Sequence, residues 1–182
     1  MIAAAQAKVT EYRLDNGLKL IVHEDHRAPV VVSQIWYKVG SSYEHDGITG
    51  LSHVLEHMMF KGTEAHPAGE FSQIISENGG RENAFTSQDY TAYFQTMEAS
   101  RLPVSFELEA DRMRNLRLLE KDVLTERDVI LEERRSRVEN DPGSILREQL
   151  MATLYQSHSY GIPVLGWKHE METLSRADAL AF

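Results

Sequence analysis

The start of the chain alternates apolar and polar residues in a pattern that predicts a β-hairpin. Two alternating runs, residues 9–14 and 18–24, flank Asp15-Asn16-Gly17. Asn-Gly favours a tight turn because both of its residues tolerate positive φ. The β-branched and aromatic run at residues 30–39 predicts a third strand, and residues 90–97 predict a fourth.

From Gly50 onwards the apolar residues recur mostly at helical spacing. This period predicts helices from near Gly50, at 69–77, from Leu102, at 120–139, at 144–156 and from Ser175. The apolar residues of two of these helices lie near one side: Leu102, Phe106, Ala110, Met113 and Leu116, and Ile145, Leu146, Leu150 and Leu154. Ser175 and Asp178 predict a capping-box-like start to the last helix.

These elements together predict an α+β fold. We expect a mainly antiparallel sheet of four or more strands, with helices packed on one face. Residues 1–182 are expected to form one domain. Because the last predicted helix is cut off at Phe182, we also expect the chain to be truncated at its C-terminus.

Composition narrows the class of protein. The chain has 182 residues, 42% of them hydrophobic, and a net charge of -9. No apolar run approaches the roughly 20 residues of a membrane span. The acidic balance argues against a nucleic-acid partner, since no basic stripe is present to neutralise phosphates. There are no cysteines, so a metal would have to be held by histidine and carboxylate ligands.

The N-terminal residues give some indication of the cellular compartment. Residues 1–7 lack the charged start and apolar stretch of a signal peptide. Their small residues resemble the stub that cleavage leaves, with a Met added, which favours the periplasm or cell envelope of a bacterium. A natural cytosolic start is the alternative.

Candidate chemistry is concentrated in one short stretch, residues 50–60. His53 and His57 are four residues apart, so both imidazoles lie on one face of a helix and can reach a single metal ion. Glu56 lies on the same face and could take a proton from a water that the metal acidifies. The stretch thus suggests metal-assisted hydrolysis; the alternative is a buried helix that carries these residues by chance.

A second unusual pattern occurs in the charged helix at 120–139. Val123, Glu126, Ile130 and Glu133 fall on one stripe. Carboxylates on an apolar stripe are costly unless a partner compensates them. A metal site would be such a partner. The alternative is a position at the edge of the core, with Arg127 or Arg137 as a salt-bridge partner.

Several stretches together resemble the pitrilysin-type (M16) zinc metallopeptidases, whose inverted His-x-x-Glu-His motif matches His53 to His57. In that family a third ligand, a glutamate, follows 76 residues after the second histidine, and here that position is Glu133. The other matching stretches are Asp15 to Leu18, Gly40 to Glu44, Gly50 to His57, Phe60 to Thr63, Asn83 to Thr86, Glu126 to Glu133, and Tyr160 to Trp167.

The resemblance implies a role for each matching residue. His53, His57 and Glu133 would hold one Zn²⁺, and Glu56 would be the general base that activates a zinc-bound water. Glu126 would be an outer carboxylate that orients a ligand or tunes the charge. Asn83 and Ala84 would belong to the edge strand along which substrates lie, although from the residues alone they read as a turn and strand entry.

The function so implied is that of a zinc metalloendopeptidase that hydrolyses peptide bonds in peptides or unfolded segments. The alternatives are a non-catalytic, peptide-binding partner subunit of an M16-type heterodimer and an assembly role with structural zinc. Family members have two homologous halves, so a second homologous half or subunit is an expected partner. The chain would cover most of one N-terminal domain, and by itself it could be inactive.

Overall fold

The structure is a computed structural model that describes residues 8–182. Residues 1–7, on which the prediction of the compartment rests, lie outside the described residues. Contacts between residues divide the chain into two compact units, Met1–Val30 and Val31–Phe182.

The first unit contains the predicted hairpin. β1 (Lys8–Arg13) and β2 (Lys19–Glu24) pair antiparallel, with Arg13 opposite Lys19 at the turn. Gly17 has a φ of 88° and donates its N–H to the carbonyl of Leu14. The predicted hairpin is therefore present, but of the Asn-Gly pair only Gly17 has a positive φ.

The second unit is built on a three-stranded sheet in the order β3-β5-β4. Its strands are β3 (Val30–Tyr37), β4 (Arg81–Thr86) and β5 (Thr91–Glu98). β4 and β5 pair antiparallel, and β4 is an edge strand among the strands described. One face of this sheet is open, and on it Val32, Trp36 and Phe85 are exposed.

Helices contact the sheet and one another to complete this unit. They are α1 (Leu51–Met58), α2 (Glu70–Glu77), α3 (Leu102–Asn115), α4 (Glu120–Arg134), α5 (Pro142–Leu154), α6 (Lys168–Met171) and α7 (Arg176–Ala181). α1 and α2 contact β4, α3 contacts β5, and α1 also packs on α4. The predicted α+β class, with antiparallel sheets and packed helices, is confirmed.

Two apolar clusters form the core. The larger one joins α1 to α4 and to the C-terminal helices, through Leu51, Val54, Met58, Val123, Ile130, Met171, Leu174 and Ala179. The smaller one joins α2 and α3 to β5 through Phe71, Ile75, Leu108 and Met97. The larger cluster fixes α1 against α4, and these two helices carry the candidate ligands.

The structure differs from the sequence-based prediction at β4. Asn83 to Thr86 were predicted as the approach to a strand, and they belong to a strand that begins at Arg81. Its sequence, RENAFT, has few of the residues that favour strands. Pairing of all six of its residues with β5 forms the strand nonetheless.

The packed side of α3 also differs from the apolar side of its sequence. Phe106 and Met113 are about half exposed, whereas Glu109 and Arg112 are buried. Arg112 forms two hydrogen bonds with Glu109, of 2.8 and 2.6 Å. Its guanidinium also lies over the rings of Phe71 and Tyr93. Mutual pairing and stacking make the burial of these charges possible.

Candidate metal centre

α1 starts at a loop whose carboxylate substitutes for a local helix cap. Gly50, at the N-cap, has no side chain to accept a hydrogen bond. The buried Glu44 accepts the N–H groups of Gly50 and Ser52, each at 2.7 Å. This arrangement satisfies donors that a helix start leaves free, and it places a negative charge at the positive end of the helix dipole. The position of α1, and so of both histidines, is fixed at its first turn.

His53, His57 and Glu133 come together where α1 packs on α4. One ligand atom from each lies within 4.8 Å of the other two. The Nε2 atoms of His53 and His57 are 3.9 and 3.7 Å from Oε2 of Glu133. Tetrahedral zinc with bonds of about 2.0–2.1 Å would have its ligand atoms about 3.4 Å apart. The spacing and the two-nitrogen, one-oxygen donor set therefore fit a zinc ion.

The imidazole of His53 is suited to metal binding at neutral pH. Burial lowers the pKa of His53 to about 3, and the charges of His57 and Arg137 add to this effect. The ring is therefore neutral at pH 7, with a lone pair on one nitrogen. Its Nδ1 is buried without a hydrogen-bond partner among residues 8–182.

Glu126 holds the second imidazole. Its Oε2 lies 2.8 Å from Nδ1 of His57, and its Oε1 pairs with the ammonium group of Lys61. Burial raises the pKa of Glu126, but the hydrogen bonds from Lys61 and His57 outweigh it and leave the pKa below its usual value. An ionised Glu126 accepts a hydrogen bond from the Nδ1–H group of His57, which leaves the lone pair of Nε2 free to bind a metal.

Glu56 differs from the two other carboxylates of the site because no Lys or Arg within residues 8–182 forms an ion pair with it. Its Oε2 accepts a hydrogen bond from the hydroxyl of Thr86 and lies 3.9 Å from Nε2 of His53. Glu126 and Glu133, by contrast, are paired with Lys61 and Arg137. Burial raises the pKa of Glu56, and the hydrogen bond from Thr86 offsets part of this rise. A carboxylate with a raised pKa beside a group of candidate metal ligands suits proton transfer.

Asn83 and Ala84 lie on β4, the strand that carries Thr86 at its end. They are not part of the histidine cluster. The N–H of Ala84 is bonded to the side chain of its neighbour, Asn83 Oδ1, at 2.9 Å. It is therefore directed to the open edge of the sheet rather than into the β4–β5 ladder. An extended chain lying along this edge could replace the Asn83 side chain as its partner.

Three contacts at the site were not predicted from the sequence. They are made by Glu44, Lys61 and Thr86. The ion pair between Arg137 and Glu133 is the salt bridge that the sequence offers as an alternative for the carboxylates of this helix. Glu44, Lys61 and Thr86 lie inside the stretches that resemble the family. That resemblance was the signal that could have identified them, because neither spacing nor periodicity distinguishes them.

Comparison with known proteins assigns the family. The sequence profile described as Insulinase (Peptidase family M16) matches residues 19–168. The chain belongs to peptidase family M16. The predicted resemblance is thereby confirmed.

Individual M16 relatives agree with this assignment. The chain is 38% identical to zinc protease PqqE of Helicobacter pylori over 170 residues, which are 93% of this chain and 38% of that protein. It is 31% identical to a probable mitochondrial-processing peptidase subunit beta of Arabidopsis thaliana, over 98% of this chain and 33% of that protein. It therefore spans less than half the length of these relatives.

Solved structures of M16 proteins have the same fold. A protease from Helicobacter pylori superposes with a TM-score of 0.93 at 36% identity, over 97% of this chain and 43% of that one. The periplasmic protease PqqL of Escherichia coli gives 0.85 at 25% identity, over 99% of this chain and 21% of that one. None of the helices within residues 8–182 has the length and apolar composition that crossing a membrane requires.

Proposed function

We propose that this chain is the zinc-binding part of a metalloendopeptidase that hydrolyses peptide bonds in peptides or unfolded segments. His53, His57 and Glu133 would hold one zinc ion, which supplies a Lewis acid that acidifies water and polarises a carbonyl. The observation that carries the proposal is Glu56, a carboxylate beside these three residues that has no paired Lys or Arg in the described part of the chain.

Each side chain of the site would have a separate role in hydrolysis. Glu56 takes the proton of the attacking water on its carboxylate and returns it to the leaving amine. Thr86 donates to Oε2 of Glu56, the oxygen that lies 3.9 Å from Nε2 of His53, and so holds the carboxylate beside the candidate ligands. Glu126 keeps His57 in the tautomer that binds through Nε2. Because burial raises the pKa of Glu56, the carboxylate is a stronger base than a free glutamate.

The open edge of β4 would bind the substrate. An extended peptide adds a strand there and uses the main-chain groups around Ala84. Such binding favours unstructured polypeptides, because a folded segment has its backbone groups already paired. A second homologous half or subunit would close the site, as the length of the relatives suggests.

The proposed compartment is the periplasm or cell envelope of a bacterium. The structural relative PqqL is described as periplasmic. The cytoplasm is the alternative. Fractionation of cells that express the protein, with detection by an antibody, decides between the two.

The rival function is a non-catalytic subunit that binds peptides for a catalytic homologue. The presence of Glu56 and all three candidate ligands favours the enzyme, because a binding subunit has no use for a base. An assembly role with structural zinc is less compatible with the site, because structural zinc has four protein ligands and three are grouped here.

The test is cleavage of an unstructured quenched-fluorescent peptide, with zinc content measured in parallel. The unaltered chain, with and without a homologous second half, is compared with Glu56→Gln and with Glu132→Gln, a control on the exposed side of α4. We expect Glu56→Gln to keep zinc and lose cleavage, and Glu132→Gln to keep both. Zinc binding and peptide binding without cleavage in every combination would favour the binding subunit.

A further inference from the structure

Arg137 lies in a helical turn of unusual geometry directly after the candidate ligand Glu133. α4 continues at Arg134 into a π-helical turn, Arg135–Glu139. Such turns are rare and occur frequently at functional sites. Nη1 of Arg137 is 2.6 Å from Oε1 of Glu133. The side chain of Arg137 is 70% exposed, whereas that of Glu133 is only 15% exposed.

The two oxygens of Glu133 have different partners. Oε1 forms an ion pair with Arg137, and Oε2 faces the Nε2 atoms of both histidines. A glutamate side chain has several rotatable bonds, and ordering it costs conformational entropy. An ion pair at one oxygen favours the orientations of the carboxylate in which the other oxygen faces the imidazoles. The Glu133 side chain then loses its conformational entropy on folding rather than when a metal binds.

We propose that Arg137 is a positioning residue of the metal centre, which holds Glu133 through Oε1 so that Oε2 is directed at the site. This inference rests on the zinc-binding part of the proposed function. It assigns a role to a residue that is neither a ligand nor a base.

Electrostatics alone predicts the opposite effect on metal affinity. A guanidinium beside a divalent cation repels it, so removal of Arg137 should strengthen zinc binding if charge were the only effect. If Arg137 orients the ligand, its removal weakens zinc binding. The direction of the change therefore separates the two explanations without any measurement of activity.

The experiment measures zinc affinity by competition with a chromogenic chelator at fixed pH and ionic strength. It compares the unaltered chain with Arg137→Ala, Arg137→Lys and Arg135→Ala. Arg135 is the matched control: it is an exposed arginine of the same turn, paired at 2.6 Å with a glutamate, Glu132, that does not face the site. Arg135→Ala removes the same charge without touching Glu133.

We expect Arg137→Ala to weaken zinc binding about 10- to 100-fold, as loss of a residue that orients a ligand typically does. Arg137→Lys, which can still donate one hydrogen bond, should recover part of the loss, and Arg135→Ala should change affinity by less than about 3-fold. The melting temperature of the metal-free protein should change by less than about 3 °C, because an exposed ion pair adds little stability.

A double variant, Arg137→Ala with Glu133→Ala, tests whether Arg137 affects zinc affinity through Glu133. Once Glu133 is absent, Arg137→Ala should weaken zinc binding no further, because the carboxylate it holds is gone. Unchanged or tighter zinc binding by Arg137→Ala, or an equal loss in Arg135→Ala, would overturn the positioning role. If the unaltered chain binds no zinc, the proposed metal centre fails first, and the role of Arg137 fails with it.

Discussion

At the scale of single residues, Thr86 connects the edge strand with the base. It is the last residue of β4, and its hydroxyl donates to Oε2 of Glu56. A second hydroxyl, that of Thr91, lies 3.4 Å from it and donates to the carbonyl of Val39 at 3.0 Å. The orientation of Glu56 is therefore tied to the strand along which we propose that the substrate lies.

Thr86→Val should lower kcat about 10-fold with little change in KM or in zinc content. The substitution keeps the shape of the side chain and removes a hydrogen bond to a charged group, worth about 1.5–3 kcal/mol. Steady-state kinetics on the unstructured peptide, with zinc measured in the same samples, tests this. Thr86→Ser keeps the hydroxyl and should retain most of the activity. A change confined to KM, or an equal loss in the Ser variant, would contradict the role given to the hydroxyl.

At the scale of elements, the start of α1 depends on close backbone contact with the loop before α6. Gly166 has a φ of 70°, and a Cβ on it would lie 2.3 Å from the carbonyl oxygen of Thr49. The N–H of Trp167 donates to Oγ1 of Thr49 at 2.9 Å. The loop and the helix start are therefore packed too closely for any side chain at this position.

Gly166→Ala should destabilise the protein by about 2–4 kcal/mol, from positive φ and overpacking together. Gly47→Ala is the control, because Gly47 also has positive φ, 95°, but has open space where its Cβ would be. It should cost only about 1–2 kcal/mol. Urea unfolding followed by circular dichroism measures both. Equal losses in the two variants would show that close packing against Thr49 adds nothing.

Sequence periodicity predicted the helices well but not the buried side of α3. The helix containing His53 and His57 could be predicted because its apolar residues and its candidate ligands share the helical period. On α3 the same method selected Phe106, which is half exposed, because periodicity treats charged residues as exposed. Glu109 and Arg112 are buried because they satisfy each other, and no local pattern reports that.

The sequence likewise predicts some features of the candidate site and not others. The grouping of His53, His57 and Glu133 follows from two helical spacings and one family distance. The contact between Thr86 and Glu56 joins residues 30 positions apart, and that between His57 and Glu126 joins residues 69 apart. Such contacts depend on how helices pack on the sheet, which the order of residues along one element does not determine.

At the scale of the whole molecule, the buried polar groups make global stability depend on pH. Tyr37, on β3, has a buried hydroxyl without a hydrogen-bond partner among the described residues. Burial raises the pKa of Tyr37 to about 12, from an ordinary value of 10.0. Its ring packs edge-on against Tyr93 at 5.7 Å, and burial raises the pKa of that phenol as well.

The direction of this change in stability follows from the pH at which Tyr37 loses its proton in the folded and in the unfolded state. Between about pH 10 and 12 the unfolded chain has lost the proton of Tyr37 while the folded protein keeps it. The folded state binds more protons in this range, so the free energy of unfolding falls as the pH rises. A shift of about two units corresponds to about 3 kcal/mol. Because the side chain of Tyr37 is only partly buried, we expect about 2 kcal/mol after screening by solvent. This stability is fully present below pH 10 and is lost as the pH rises through 12.

Between pH 9 and pH 12, Tyr37→Phe should therefore lose about 2 kcal/mol less stability than the unaltered chain. The part of the loss that is due to Tyr93 should remain. At pH 7 the variant should be as stable as the unaltered chain or slightly more so, because a buried hydroxyl without a partner is unfavourable. Urea unfolding at both pH values measures the difference, and Tyr12→Phe, at an exposed position of β1, is the control. If Tyr37→Phe leaves the alkaline loss unchanged, or destabilises the protein at pH 7, the hydroxyl has a partner in solution and its pKa is not raised by burial.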